Sequence, residues 1–411
     1  MRIIVTGAGI GGSVLALALE QAGMDYVVLE QAPGLTEVGA GIQLSPNGVR
    51  ILEWLGLADD LARFSVEPGA HQLKDWQSGE TVLETPLKAV VRKSFGAAYY
   101  HAHRADLIAA LASRLNPDRL RLNSKVVSVE QDNDRVSVTL ADGEKESGDV
   151  LIAADGIHSV IRNQVFNPEA PRPSGYLAWR GMVDADRAAH LGIEKQSVAV
   201  MGPRLSIVFY YVSGGAKINW VAIGAGDDAA RESWSQTASK ANVQKSFEGW
   251  YHHAKGLVDL TDDFFVTALF DREPLPSWID GRIALMGDAA HAMLPYHAQG
   301  AVQSIEDAWV LARCLQQIES NMGVADPSAA LLKYESLRKD RAQRLQLHSR
   351  NAERWYHLED PDEIARRNAR LAAHAQDNPS GLTPQQVWLF TYDAEKAALG
   401  TDDEWRALRE W

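Results

Sequence analysis

Arg2-Ile3-Ile4-Val5-Thr6 runs straight into Gly7-Ala8-Gly9-Ile10-Gly11-Gly12, and no other stretch restricts the fold of this chain so strongly. A short run rich in β-branched residues reads as a strand buried on both faces, the kind found in parallel sheets. The glycines at 7, 9 and 12 form G-x-G-x-x-G, and the spacing predicts a helix over Ser13 to Ala22. In such a unit the first glycine allows the tight turn, the second lets a pyrophosphate approach the backbone, and the third lets helix and strand pack closely. The free amides at the helix N-terminus then face the phosphates. A second strand, Tyr26 to Leu29, ends in Glu30, an acid placed to accept hydrogen bonds from a ribose. A glycine triplet alone is a weak signal. Strand, triplet, helix, strand and acid in sequence predict a site for an adenine dinucleotide.

Composition narrows the class without naming the chemistry. The 411 residues suffice for two domains, and 46% hydrophobic with 23% charged residues describes an ordinary globular protein. A net charge of −13 argues against a nucleic-acid partner, which would call for a basic face. The single cysteine, Cys314, excludes an intrachain disulfide and sits in an apolar helical pattern, as a core residue would. Ile3 to Val5 is too short for a signal peptide and no apolar run has the length of a membrane span, so a cytoplasmic protein is expected. No metal site is expected.

Further along, Gly39-Ala40-Gly41-Ile42-Gln43 leads into Pro46 and Gly48, a chain passing close to something flat or bulky. Gln72 to Leu87 reads as a hairpin turning at Ser78-Gly79-Glu80. Arg104 precedes a helix over Leu107 to Leu115. The strand Val150 to Ala154 ends in Asp155-Gly156, where open α/β sheets bind ligands, although a plain turn with an Asp cap fits equally. From Gly175 to Phe270 five strands and one helix, Lys240 to His253, predict an inserted antiparallel sheet. Gly224-Ala225-Gly226 runs on into Asp227-Asp228 without a third glycine in register, so it is not a second nucleotide motif. A last buried strand, Gly281 to Met286, is capped by Gly287-Asp288-Ala289-Ala290-His291. Pro295 and Gly300 lead into a helix over Ala301 to Ile318. The arginine-rich helix from Pro327 toward Arg354 reads as a solvated face. The tail beyond Pro361 is charged and helical, with Trp388, Tyr392, Trp405 and Trp411.

The glycine motif, Asp155-Gly156 and Gly287-Asp288, in that order, resemble the single-component flavin-dependent aromatic hydroxylases, the family of para-hydroxybenzoate hydroxylase, and most closely its salicylate and 3-hydroxybenzoate branch. Gly39 to Gln43, His103 to Leu107, Asp155 to Arg162 and Gly287 to His291 all match. The resemblance implies an α/β fold with a discontinuous FAD-binding Rossmann-like domain over 1–70, 98–174 and 276–345. It places a mainly antiparallel substrate-binding sheet domain at 71–97 and 175–275, and a helical C-terminal region at 346–411. It implies tight, non-covalent FAD, with NADH or NADPH as transient co-substrate on a shared surface. Gly7, Gly9, Gly12 and Glu30 would take the ADP half, Arg104 the cofactor backbone and Asp288 the ribityl and pyrophosphate region. Gln43, Asp155, Gly287, Pro295 and Gly300 complete that set. The implied chemistry is hydride transfer to FAD, addition of dioxygen to give a C4a-hydroperoxide, and hydroxylation of a small aromatic. Monomer and homodimer are both open.

A phenolic substrate reacts best when its hydroxyl loses a proton, which asks for a nearby acceptor. His297, Tyr210 and Tyr211 are the candidates. The two tyrosines point to opposite faces of one strand, so only one should meet a ring. Arg180 could pair with a carboxylate or be a satisfied sheet-edge arginine. The chain departs from its relatives here. It has Ser206 where 3-hydroxybenzoate enzymes carry a strand histidine, and Gln43 and Tyr296 where 6-hydroxynicotinate enzymes carry histidines. Other possibilities remain open. They are another FAD oxidoreductase of the same fold, a nicotinamide-dependent dehydrogenase, or a flavin-binding sensor without turnover. A colourless protein would mark the second and absence of ligand-stimulated NAD(P)H oxidation the third. The Trp-x-Trp-x-Ile-Pro segment of flavin halogenases is missing.

Overall fold

The Arg2–Thr6 strand pairs in parallel with Asp25–Leu29 on one side and Val150–Ala153 on the other. Ile3, Ile4 and Val5 are fully buried between helices, as their β-branched run requires. Leu120–Arg121 extends the sheet beyond Asp25–Leu29, and Ile283–Leu285 followed by the short antiparallel Ile279–Asp280 extends it beyond Val150–Ala153. The computed structural model describes all residues except 37–39, 168, 227–235, 238, 239, 323–326, 379 and 409–411. Gly39, Asp227, Asp228 and Trp411 therefore lie outside the described residues.

A second sheet stands beside the first. Its eight strands run in the order Gln236–Thr237, Phe265–Asp271, Arg172–Asp184, Lys217–Ala225, Leu205–Val212, Ser197–Gly202, His71–Asp75 and Thr81–Thr85. Its pairs are antiparallel except Ser197–Gly202 with His71–Asp75, which run parallel. A separate two-stranded antiparallel sheet pairs Gly41–Leu44 with Tyr100–His103.

Several expectations need correction. The hairpin ends at Thr85, and a helix, Leu87–Phe95, follows it, entered through Pro86 and closed by Gly96 at φ 76°. Pro86 and Gly96 bracket the helix, a start by proline and a stop by left-handed glycine. The single helix expected over Lys240 to His253 is two, Lys240–Ser246 and His252–Leu260, with Gly249 at φ 78° between them. A left-handed residue cannot continue an α-helix.

The largest correction concerns the helix Ser328–Tyr356. Arg338 and Arg341 are 0% and 2% exposed, so its arginines do not form a purely solvated face. They meet Glu306 and Asp307 of the helix Gly300–Met322: Arg338 Nη1 to Glu306 at 2.5 Å, Arg338 Nε to Asp307 at 2.8 Å, and Arg341 Nε to Glu306 at 2.8 Å. Helical periodicity marks which residues share a face, whereas the partners that make burial of that face tolerable lie on another helix. Cys314 is buried, and burial pushes its thiol up to about 12, an inert core position.

Candidate active site

The glycine loop is shaped by contact. Gly7 adopts φ +91°, and a Cβ there would stand 2.5 Å from the Ala154 carbonyl oxygen. At Gly12 a Cβ would fall 2.0 Å from the Gly7 oxygen, so the helix Ile10–Gln21 can approach its strand only as glycine. Gly9 is different: a Cβ there meets nothing within 4 Å. The chain leaves open the space that a pyrophosphate needs.

Glu30 accepts from the amides of Ala8 at 2.7 Å and Ala32 at 2.8 Å, which ties the second strand's end to the glycine loop. Asp155 accepts from the Val160 amide at 2.9 Å. Its carboxyl therefore holds the turn, and Gly156, Ile157 and His158 present the surface beside it. Gly287, at φ 57°, donates its amide to Asp307 at 2.9 Å, and the same carboxylate oxygen meets His291 Nε2 at 2.6 Å. This leaves Asp288 exposed at the head of the turn.

These strand ends open onto a cavity of about 1090 Å³ between the two sheets. Gly9, Gln43, Arg104, Gly287, Asp288, Pro295 and Gly300 line it, as do His297 and Tyr210. Gly7, Gly12, Glu30 and Asp155 shape or brace the walls from behind.

Tyr211 does not belong to the site. Its hydroxyl donates to the Ile193 carbonyl at 2.9 Å and its ring packs into the core on the far face of the sheet. Tyr210 takes the cavity side by strand alternation, with its ring 4.2 Å from His101. Burial pushes its phenol up, so it stays protonated. His297 lies with Nδ1 2.8 Å from Gln385 Nε2. Burial lowers its imidazole to about 4, which keeps it neutral near pH 7.

Arg180 is not at a sheet edge. It sits on the Arg172–Asp184 strand, paired on both sides, and faces the cavity with a hydrogen bond to Thr267. Burial lowers its guanidinium to about 10, still charged at neutral pH. Tyr99, which donates to Gln43 at 2.5 Å, lines the same space and was missed, as were Trp355, Tyr356, Gln385 and Phe390. No local pattern marks these residues, because their shared position arises only when the C-terminal helices close over the sheet.

The family model described as an FAD binding domain matches residues 1–349. Over 95% of each chain, this one is 35% identical to a 3-amino-4-hydroxybenzoate 2-monooxygenase of Streptomyces cremeus. It is 33% identical to a salicylate hydroxylase of Pseudomonas putida, covering 96% of this chain and 93% of that one. The chain belongs to the FAD-dependent aromatic-ring monooxygenases.

The solved structure of Klebsiella pneumoniae HpxO with FAD and uric acid superposes on the monooxygenase with a TM-score of 0.81. The two are 29% identical over 99% of this chain and 97% of the other. The residues present fit the cofactor: Gly9 leaves the backbone bare, Gly156 and Gly287 turn at two further strand ends, and Asp288 stands exposed beside them. The monooxygenase is thus an FAD enzyme, with NAD(P)H as co-substrate. Among the described residues no helix is long and apolar enough to cross a membrane, and no cluster could hold a metal ion.

Proposed function

We propose that the monooxygenase hydroxylates a small aromatic acid, hydroxybenzoate-like or heteroaromatic, whose anionic group is held by Arg180. The observation that carries this reading is a half-buried guanidinium in the wall of an aromatic-lined cavity. A cation partly withdrawn from water favours a ligand that brings the opposite charge.

FAD, when bound, accepts the hydride from NAD(P)H and activates dioxygen. Gly7, Gly9, Gly12 and Glu30 would hold its ADP half, with Arg104, Asp155, Asp288 and the Gly287–Gly300 loop along the rest. Gln43 stands between Tyr99 and Tyr210 and serves the ring side of the same space. His297 and Tyr210, both neutral, would hold the phenolic oxygen, and the Gln385 contact keeps the imidazole from turning. Trp355, Tyr356 and Phe390 close the cavity against water, which the oxygen chemistry requires. In this reading 1–70, 98–174 and 276–345 hold the cofactor, 71–97 and 175–275 hold the ring, and 346–411 is the cover. The enzyme works in the cytoplasm, as a monomer or homodimer, without nucleic-acid or membrane partners.

Arg180→Met is expected to keep its FAD while the dissociation constant for an aromatic acid, read from the flavin spectrum, rises about 10- to 100-fold. The matching aromatic amide should bind unchanged. Equal loss for acid and amide would remove Arg180 as the anion's partner. Asp288→Ala is expected to purify with little flavin, measured by the 450 nm to 280 nm absorbance ratio. Full occupancy would take Asp288 out of the cofactor set.

A further inference from the structure

The floor of the cavity carries a row of side chains that the reading above does not use. Arg180 pairs with Val221, Val221 with Val208, Val208 with Ala199, Ala199 with Leu73, and Leu73 with Leu83. Directly paired residues turn their side chains to the same face of a sheet, and all six of these line the cavity. The row crosses six neighbouring strands in five steps. At about 4.8 Å per step it is roughly 24 Å long.

Only one end of the row is charged. Arg180 is half-buried and cationic, and the five side chains beyond it are apolar. Leu73, Leu83 and Ala199 are buried, with Trp355 of Ser328–Tyr356 and Leu371 of the helix Pro361–Asp377 packed against them. The polar groups beside this far end are turned to protein partners. Thr85 Oγ donates to the Gly381 carbonyl at 2.7 Å, and His71 Nδ1 lies 3.0 Å from Ser197 Oγ. Burial lowers His71 to about 4, so it adds no charge.

A ring with its carboxylate on Arg180 and its hydroxyl on Tyr210 covers the first two steps, because Tyr210 and Val208 share a strand. The last three steps, roughly 14 Å, are left over. A ligand that ended at the ring would leave the apolar surface from Ala199 to Leu83 unused, whereas apolar atoms laid along it leave water and gain affinity.

Resting on the aromatic-acid reading, we infer that Ala199, Leu73 and Leu83 floor an arm of the cavity that takes an alkyl chain carried by the substrate, on the side of the ring opposite its carboxylate. Ala199 determines this specificity. Its single methyl keeps the row open midway between Val208 and Leu73, where a larger side chain would close it. The enzyme therefore selects an amphiphilic aromatic acid, with its head at Arg180 and its tail under Trp355 and Leu371, over the bare ring.

The test titrates the holoenzyme with benzoate, with its para-alkyl homologues from methyl to hexyl and with the matching amides, following the flavin absorbance. The dissociation constant of the acids should fall about 3- to 4-fold per methylene. In Ala199→Leu the fall should stop at ethyl or propyl, because the longer side chain blocks the row. Leu73→Phe, one strand further out, should stop it later. Flavin retained in each variant shows that it has folded. If benzoate binds and longer chains bind no tighter, the arm is overturned while the aromatic-acid reading stands. A full fall in both variants also overturns it, since the chain then lies elsewhere. If the series holds but each amide binds as tightly as its acid, the arm stands and the anion anchor at Arg180 falls. No flavin response to any acid or amide overturns both.

Discussion

Arg338→Met is expected to destabilise the enzyme by about 3–5 kcal/mol, seen as a lower melting temperature and an earlier denaturant midpoint. The guanidinium is fully buried and meets Glu306 at 2.5 Å and Asp307 at 2.8 Å, both also fully buried. Removing it leaves two carboxylates in the interior with one cation fewer, and an uncompensated buried charge costs more than the intact pair contributes. Burial pushes the Asp307 carboxyl up, but His291 and Arg338 more than reverse this and hold it at about 2. A carboxyl depressed from an ordinary value near 3.8 stabilises the fold above about pH 4, and that share disappears as pH falls toward 2. In Arg338→Met this acid-dependent step should shrink, because part of the depression has gone. Arg338→Met with Glu306→Gln should recover some stability by removing a stranded charge. The damage should reach the cofactor, since Asp307 also accepts the Gly287 amide at the cofactor turn. Wild-type melting in Arg338→Met would mean that this charge set contributes nothing to the fold.

Gly12→Ala and Gly9→Ala should fail in different ways. At Gly12 the new Cβ would lie 2.0 Å from a backbone oxygen that no rotamer change can move. The helix must shift off its strand, so both the melting temperature of the FAD-free protein and its FAD affinity should fall. At Gly9 the Cβ meets nothing within 4 Å. The FAD-free protein should melt like wild type, while FAD affinity drops by at least an order of magnitude, because the methyl fills the space left for pyrophosphate. Calorimetry with and without FAD separates the two. A destabilised FAD-free Gly9→Ala, or a Gly9→Ala with wild-type affinity, would contradict this division of roles.

Much of the cofactor side could be read along the chain. The motif at Gly7 to Gly12, the acid at Glu30 and the turns at Gly156 and Gly287 are local features, each set by a strand end and the φ that follows it. They recur in the structure as one rim because a parallel sheet brings the C-terminal ends of its strands together. The substrate side could not be read in this way. Strand alternation put only one of Tyr210 and Tyr211 toward a ring, but which one depended on the face turned to the cavity. The chain alone leaves Arg180 open between a carboxylate partner and a sheet-edge position, and only the pairing of its strand on both sides excludes the edge. The arginines of Ser328–Tyr356 carried a charge pattern that says nothing of Glu306 and Asp307, because ion pairing across helices leaves no periodic trace.

By itself, the sequence determined a glycine-rich strand-turn-helix, two further strand-end turns and an intervening block of strands, since φ preferences and apolar periodicity act within a few residues. Only the tertiary structure decided that Arg180, Val208, Ala199 and Leu83 share one row, that Gln385 reaches His297, and that the C-terminal helices cover the cavity. The Gln385 contact spans 88 positions, and His71 meets Ser197 across 126 where their strands pair. Distance along the chain carries no information about them until the sheets have packed.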